Sequence, residues 1–345
     1  MCKKVSDSLR RIIITKAGDS NVLKLESFQQ SRDSLLENEV EIETSFSGLN
    51  FADIHMRQGL YQDAPKFPFV PGYEVSGTIS KVGKKVKHLK PGDPVMAGAM
   101  FGGYSSHIRV PAWQVIPISL DSLSLKEAAS VPVSFMTAYI ALFELGRIRG
   151  TDEVLIDCAT GALGQMMIHL MNQEFQFETS ISGLTTSERK LKGLKDLGLK
   201  AYLSYEEIKA SNKQFDLIIN SRGLPYTSLK SHLKPLGKVV NLGVSSMISP
   251  GGRDLFKAIG TFLKIRSINS IDLMNENHGV HGLNVLTLFL KDEFLKSYLG
   301  KWNDYQFRPK VDKVFAPEDV SKAHEYIENR KSQGKVLIDW RSNLS

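Results

Sequence analysis

The chain has 345 residues, with 44 Lys and Arg against 37 Asp and Glu, a formal charge of +7 at pH 7. Charged residues at 23% and hydrophobic residues at 42% exclude wholesale disorder, and 27 Gly with 13 Pro exclude collagen-like and low-complexity readings. Two cysteines cannot build a disulfide framework or a four-thiolate zinc site and suit a reducing, cytoplasmic setting, while the length predicts about two domains.

The N-terminus, MCKKVSDSLRR, is basic but lacks the apolar stretch of a signal peptide, and no run reaches the ~18 apolar residues of a spanning helix. Short strands are predicted at 11–15, 39–45, 77–81 and 107–111, separated by Pro71-Gly72 and Pro91-Gly92-Asp93 turns. This punctuation predicts an irregular β-rich domain or barrel. The densest basic group, Lys81, Lys84, Lys85, Lys87 and Lys90, has no interleaved aromatic. It reads as a solvated hairpin, with no specific nucleic-acid site.

Ser124 and Glu127 form a capping-box pattern, and helical periodicity then runs to Leu145 before Gly146 stops it. From there strands and helices alternate. Strands are predicted at 154–156, 178–182, 217–220 and 238–242, and helices at 162–173, 187–197 and 226–233. A βαβαβ alternation predicts a parallel sheet covered on both faces. The tail from Phe307 to Trp340 returns to a strand, a helix opened by Ala316-Pro317-Glu318-Asp319, and a last strand at 335–339. The chain is thus expected to close its first domain with its last segment.

The turn after 154–156 reads Asp157-Cys158-Ala159-Thr160-Gly161-Ala162-Leu163-Gly164. Small residues at a strand-to-helix turn let the backbone approach a pyrophosphate at a helix N-terminus. Only the Gly161-x-x-Gly164 half of the full glycine fingerprint is present, so a tight turn without ligand fits the same residues. The acid that grips a ribose hydroxyl should stand about 20 residues on, yet this region reads Ser182-Gly183-Leu184-Thr185-Thr186-Ser187-Glu188-Arg189-Lys190. Hydroxyls and cations there favour a 2′-phosphate, hence NADP(H). The plain alternative makes Thr186 or Ser187 a helix cap and Lys190 a surface residue.

The run Ser47-Gly48-Leu49-Asn50-Phe51-Ala52-Asp53-Ile54-His55-Met56-Arg57-Gln58-Gly59-Leu60-Tyr61, followed in order by Val70-Pro71-Gly72-Tyr73-Glu74-Val75-Ser76-Gly77, Pro91-Gly92-Asp93, Thr137-Ala138-Tyr139 and Gly334-Lys335-Val336, resembles the zinc-free medium-chain dehydrogenase/reductases. Within their quinone oxidoreductase branch it most resembles the homologues of the synaptic vesicle membrane protein, over about residues 11–339. The resemblance implies an α/β fold: a GroES-like domain from both chain ends (1–126 and 273–345) and a Rossmann doubly wound parallel-sheet domain (127–272). It also implies a homodimer through the edge of the cofactor sheet. Zinc relatives carry ligands where Asn50, Tyr73 and Val133 stand here, so Glu74 alone cannot hold the metal.

The activity so implied is NADPH-dependent, metal-free hydride transfer to a quinone or to the activated double bond of an enone or enal. Tyr61 matches a proton donor or carbonyl partner, with a merely packed rim aromatic as the alternative. Asn50 matches a cleft asparagine reaching the substrate or the nicotinamide ribose, with a turn residue as the alternative. On the cofactor, the resemblance places Thr137, Thr160, Gly161, Ala162, Leu163, Gly164, Asn220, Gly243 and Asn284 along its wall. Thr186, Ser187, Lys190 and Tyr205 stand at the 2′-phosphate, and Lys335 reaches a phosphate. Asp53 and Arg57 read as a structural i,i+4 helix pair. Ala162, Cys158 and the Asn220 segment depart from the family pattern. The competing reading is a low-activity nucleotide-binding or membrane-associated protein of the same fold, touching membranes peripherally but with no amphipathic anchor evident.

Overall fold

A computed structural model describes residues 9–29, 35–176, 179–185, 187–249, 251–252, 254–266, 268–289, 291 and 297–341. Thr186, predicted at the cofactor phosphate, lies outside the described residues.

The N-terminal part contributes β1 (Leu9–Ile14), β2 (Leu23–Phe28), β3 (Glu39–Leu49), β4 (Glu74–Val82), β5 (Pro94–Gly98), β6 (His107–Pro111) and β7 (Val115–Pro117). β1 and β2 pair with each other, while the others join β14 (Val311–Phe315) and β15 (Lys335–Asp339) in one sheet. Its order is β14-β15-β3-β4-β5-β7, with β6 on β3. The return of the tail is explicit in the register: Val336 sits opposite Leu49 and Asp339 opposite Phe46. Alternation drives this sheet, since Val40, Ile42, Val75, Ile79, Val95, Ala97 and Ile108 are buried in one cluster.

The middle of the chain forms the second unit. β8 (Glu153–Asp157), β9 (Ser180–Leu184), β10 (Lys200–Tyr202), β11 (Phe215–Asn220), β12 (Leu233–Asn241) and β13 (Gly279–Gly282) make a six-stranded sheet. Every pairing in it is parallel. The order β10-β9-β8-β11-β12-β13 is that of a dinucleotide-binding sheet. The order in which strands are added reverses between β8 and β11, so a crevice opens beyond their carboxyl ends. The sheet continues past residue 272, because Val239 and Val240 pair with Val280 and His281.

Helix prediction succeeded at one end and failed at the other for a local reason. Ser124 Oγ accepts from the Glu127 amide at 3.3 Å and Glu127 Oε2 accepts from the Ser124 amide at 2.9 Å, as the capping box requires. The helix does not run on to Leu145: Leu125–Ala128 ends, and a second helix, Pro132–Tyr139, begins with proline at its start. Proline has no amide hydrogen to continue the first ladder. A π-helical segment, Ile140–Gly146, follows, and Arg147 closes it at φ 49°. Tyr226–Leu233 is likewise no single helix, because a four-residue turn and a 3₁₀ turn give way to β12 at Leu233.

The helices Leu255–Arg266 and Ser270–Glu276 depart from the usual amphipathic pattern. Phe256 is 93% exposed, and Ile259, Phe262, Leu263, Ile271 and Met274 are exposed with it. Within the first helix only Ala258 is buried. No helix among the described residues is long and apolar enough to cross a membrane.

Candidate active site

A cleft of about 810 Å³ separates the two units. That volume falls in the range of small-molecule and cofactor sites. Its floor is the turn after β8. Asp157 ends the strand, Cys158 adopts φ 58°, and Gly161 leads into the helix Ala162–Phe175 with no side chain capping it. The first amides of an α-helix have no partner within the helix, so this end presents N–H groups and partial positive charge. Thr160, Gly161, Ala162, Leu163 and Gly164 all line the cleft. Gly164 is required by packing, since a Cβ there would stand 2.5 Å from Ala159 Cα.

Asp157 would repel a phosphate were it free. Its carboxylate instead holds Arg222 Nε at 2.9 Å, and Arg222 lies over the Tyr205 ring, 5.4 Å from its centroid. Tyr205 therefore sits beside this ion pair, outside the cleft wall, where the sequence placed a phosphate ligand. Asn220 is also committed elsewhere. Its amide nitrogen donates to Asn241 Oδ1 at 2.7 Å and to Leu224 O at 2.9 Å, while Oδ1 accepts from the Gly223 and Leu224 amides. Asn220 builds the turn after β11, and Gly223, Asn241 and Gly243 form the wall. Ser187 precedes the helix Glu188–Asp196 and makes no side-chain capping bond.

Lys190 does line the cleft, with its ammonium donating to Arg330 O at 2.6 Å and its pKa lowered by burial. Beside it stand Thr185, Arg330 and Ser332, none of which the sequence suggested. Arg330 and Ser332 come from the returning tail, just before β15, so no local motif near β9 could have announced them. The end of β9 carries no acid. This corner offers cations and hydroxyls.

At the opposite end Asn50 begins the helix Phe51–Arg57. Its amide nitrogen donates to Glu74 Oε1 at 2.9 Å and its oxygen accepts from Lys335 Nζ at 2.8 Å. Lys335 also forms a buried ion pair with Glu74, whose other oxygen accepts from the Val133 amide at 2.8 Å. Lys335, expected to reach a phosphate, directs its ammonium at Glu74 and Asn50. These two contacts fix the Asn50 amide with oxygen toward the lysine and nitrogen toward the carboxylate. Gly48 leaves room for the cluster, since a Cβ there would lie 2.6 Å from Glu74 Oε1.

The predicted Asp53–Arg57 pair is not formed. As third residue of its helix, Asp53 turns back to accept from the Asn50 amide at 2.8 Å, and Tyr104 OH donates to it at 3.2 Å. Arg57, in the last turn, reaches Glu328 Oε1 at 2.8 Å in a fully buried pair with the helix Val320–Glu328. Burial raises the Asp53 pKa to about 7 against the opposing pull of the Asn50 amide and Tyr104.

Tyr61 stands at the rim, its hydroxyl donating to Asn284 Oδ1 at 3.2 Å. Burial raises its pKa, with Asp63 and Asp53 adding to the effect, so the phenol keeps its proton at neutral pH. Asn284 caps the short helix Val285–Leu288, and Thr137, from the helix Pro132–Tyr139, completes this wall with its hydroxyl on Val133 O. The structure brings Asn50, Tyr61, Thr137, Thr160–Gly164, Lys190, Gly243, Asn284 and Lys335 around one cleft. It leaves Ser187, Tyr205 and Asn220 outside the lining. His55, unremarked in the sequence, lies on the wall beside Tyr73.

The donor set at the Asn50 end cannot hold zinc, since an amide, a phenol and a valine stand at the ligand positions. Among the described residues no group of three His, Cys, Asp or Glu converges on a point that would hold a metal ion.

Sequence profiles for the alcohol dehydrogenase GroES-like domain and the zinc-binding dehydrogenases match residues 36–120 and 197–338. The chain is 30% identical to the rat synaptic vesicle membrane protein VAT-1 homolog, over 96% of this chain and 84% of that protein. The chain belongs to the zinc-free medium-chain dehydrogenase/reductases, in the quinone-oxidoreductase and VAT-1-like branch. Among solved structures, that of human VAT-1 homolog-like protein superposes with a TM-score of 0.80 at 28% identity, covering 97% of this chain and 99% of that one. The CurK enoyl reductase superposes with a TM-score of 0.76 at 25% identity, covering 96% and 99%. Membership explains why a profile named for zinc matches a chain whose ligand positions have been replaced.

Proposed function

We propose that the protein is an NADPH-dependent reductase of quinones or of carbon–carbon double bonds conjugated to a carbonyl. The observation that carries this is the cleft itself: an uncapped helix N-terminus over a glycine turn at its floor, an acid-free cationic corner at one end and a metal-free polar cluster at the other. These residues fit a nicotinamide dinucleotide phosphate. The amides of 162–164 would take the pyrophosphate, Lys190, Arg330 and Ser332 the 2′-phosphate, and Thr137, Gly243 and Asn284 the nicotinamide half. The Cα of Ala162 begins the helix, and its methyl adds no charge or polar group to this floor.

When bound, the reduced nicotinamide supplies a hydride. The protein contributes orientation, exclusion of water and a proton. Asn50, held by Lys335 and Glu74, retains a second amide N–H to direct at a carbonyl or ribose. Tyr61 keeps its proton until negative charge develops on the acceptor, then donates it from the rim. The relative of known structure named as an enoyl reductase supports this acceptor class.

The test is titration of the purified chain with NADPH and NADH, followed by turnover with a naphthoquinone and an enal. NADPH is expected to bind more tightly, and Lys190→Ala to narrow the preference by about tenfold, the scale of one charge-assisted contact. Failure of both nucleotides to bind at millimolar concentration overturns the reading.

A second reading is favoured by one surface. The helix Leu255–Arg266 exposes Phe256, Ile259, Phe262 and Leu263 and carries Lys257, Lys264 and Arg266 without any acid. This is the composition of a helix that lies in a membrane interface, apolar side chains down and cations at anionic headgroups. We infer peripheral contact of this face with anionic membranes, a role compatible with the reductase. A homodimer joined through the open edge of β13 remains part of the same proposal and would set two such helices on one particle.

A further inference from the structure

We propose that one ordered water, held by Ser130 Oγ, is the third hydrogen-bond partner of the buried Lys335 ammonium and makes Ser130 a positioning residue for Asn50. The water site stands on the structure alone, and its effect on turnover rests on the reductase reading. A second cavity, of about 10 Å³, lies beside the helix Ala162–Phe175. Its lining includes Ser130, Gln165, Met166, His169, Lys310 and Lys335. Lys335 also lines the main cleft, so its side chain stands between the two spaces. A volume of about 10–15 Å³ holds one water, provided about two to four polar groups face it. Ser130 supplies one such group. It sits in the turn between the helices Leu125–Ala128 and Pro132–Tyr139, with its amide donating to Glu127 O at 2.9 Å. It is 2% exposed, and its hydroxyl has no hydrogen-bond partner among the described residues. Buried hydroxyls are nearly always paired, so an orphan on the wall of a water-sized space marks a place for water.

Lys335 supplies the second group. It too is 2% exposed, and an ammonium carries three N–H donors. One goes to Asn50 Oδ1 at 2.8 Å and one to Glu74 Oε1. A water that accepts the third and donates to Ser130 Oγ completes both groups at once. Gln165 adds a further partner. Its amide nitrogen is spent on Thr160 O at 2.8 Å, which leaves its carbonyl oxygen for the second hydrogen of the water. No proton is transferred; the water fixes a direction. Burying a charge is costly unless it is paired and hydrogen-bonded, and three acceptors hold the ammonium where two leave it free to swing. Lys335 in turn orients the Asn50 amide, whose nitrogen Glu74 holds at 2.9 Å. Ser130 lies outside the cleft lining and acts on it through the water and Lys335.

The test is a crystal structure of the nucleotide-free full chain, at a resolution that shows ordered water, joined to kinetics. A water within hydrogen-bond reach of Ser130 Oγ and Lys335 Nζ is expected in the parent and lost in Ser130→Ala. With NADPH and a naphthoquinone, Ser130→Ala should lower kcat about threefold to tenfold, the scale of one hydrogen bond, with KM for NADPH within about twofold. Ser130→Thr and Ser130→Val add the same bulk, but only threonine keeps the hydroxyl. Threonine should retain the water and stay within about twofold of the parent, while valine should match alanine. Equal behaviour of threonine and valine is the mark of packing alone and overturns the proposal. If both bulkier variants fail to fold, Ser130→Ala decides by its crystal structure and kcat. Parent crystals without this water, or an unchanged water or kcat in Ser130→Ala, also overturn it. The water present in a chain that reduces no acceptor supports the site and rejects the reductase reading.

Discussion

Asp53 shows how one buried group sets conditions for the whole cleft. Its carboxyl caps the helix that carries Asn50 and His55, yet burial lifts its pKa from 3.8 to about 7. The folded state therefore binds a proton more readily than the unfolded chain. The resulting stability is fully present below pH 3.8 and is lost as pH rises through about 7. Asp53→Asn keeps an acceptor for the Asn50 amide and Tyr104 without a charge. It should flatten this part of the stability profile, a difference on the order of a few kcal/mol at pH 8, measurable by urea unfolding at pH 4, 6 and 8. His324 works in the opposite sense: it is fully buried against Tyr104 and its pKa is driven well below 6.5, so it withdraws stability as pH falls. Tyr61 belongs to the same scale. Tyr61→Phe removes the donor but keeps the ring, and should lower turnover by 10²-fold or so, the lower end of general acid catalysis, with NADPH affinity within about twofold. Equal losses in both would assign Tyr61 to cofactor binding.

At the level of elements, the strand–turn–helix from β8 to Phe175 is the part whose form follows most directly from composition. Gly164 must be glycine because the helix crosses the strand end in contact with Ala159. Gly164→Val should cost about 1–3 kcal/mol by overpacking, and should weaken NADPH binding by tilting the amides at the helix start; thermal unfolding and nucleotide titration check both. The motif was legible because glycine spacing and a preceding apolar strand are local signals. The role of Asn220 was not. Its position at a strand end suggested a ligand contact, whereas its four hydrogen bonds show it bracing the turn after β11. Helix Leu255–Arg266 hid for a different reason. In sequence its apolar residues look like those of any core helix, and only their exposure distinguishes it. Replacing Phe256 and Phe262 by Ser should reduce sedimentation with anionic vesicles at least fivefold without changing turnover; no binding by the parent chain would remove the membrane reading.

For the whole molecule, the decisive event is the return of the tail. β15 pairs with β3, and this brings Lys335 against Glu74 and Asn50 across 285 residues of chain. The same return carries Arg330 and Ser332 to Lys190, and Glu328 to Arg57. Arg57 and Glu328 pair in a buried contact, so the packing of the helix Val320–Glu328 on Phe51–Arg57 fixes one wall of the cleft.

The sequence by itself determined the architecture: alternation and turn residues specify the β-rich sheet, the βαβ rhythm specifies the parallel sheet, and the residues at the zinc positions specify a metal-free site. These are local or position-by-position properties, readable wherever side-chain periodicity follows backbone geometry. Only the tertiary structure decided which polar groups are free to meet a ligand. It spent Lys335 and Asn220 on internal partners, moved Tyr205 behind an ion pair and supplied Arg330 from the tail. The physical reason is that a buried polar group must find a partner, and which one it finds depends on chain segments hundreds of residues apart.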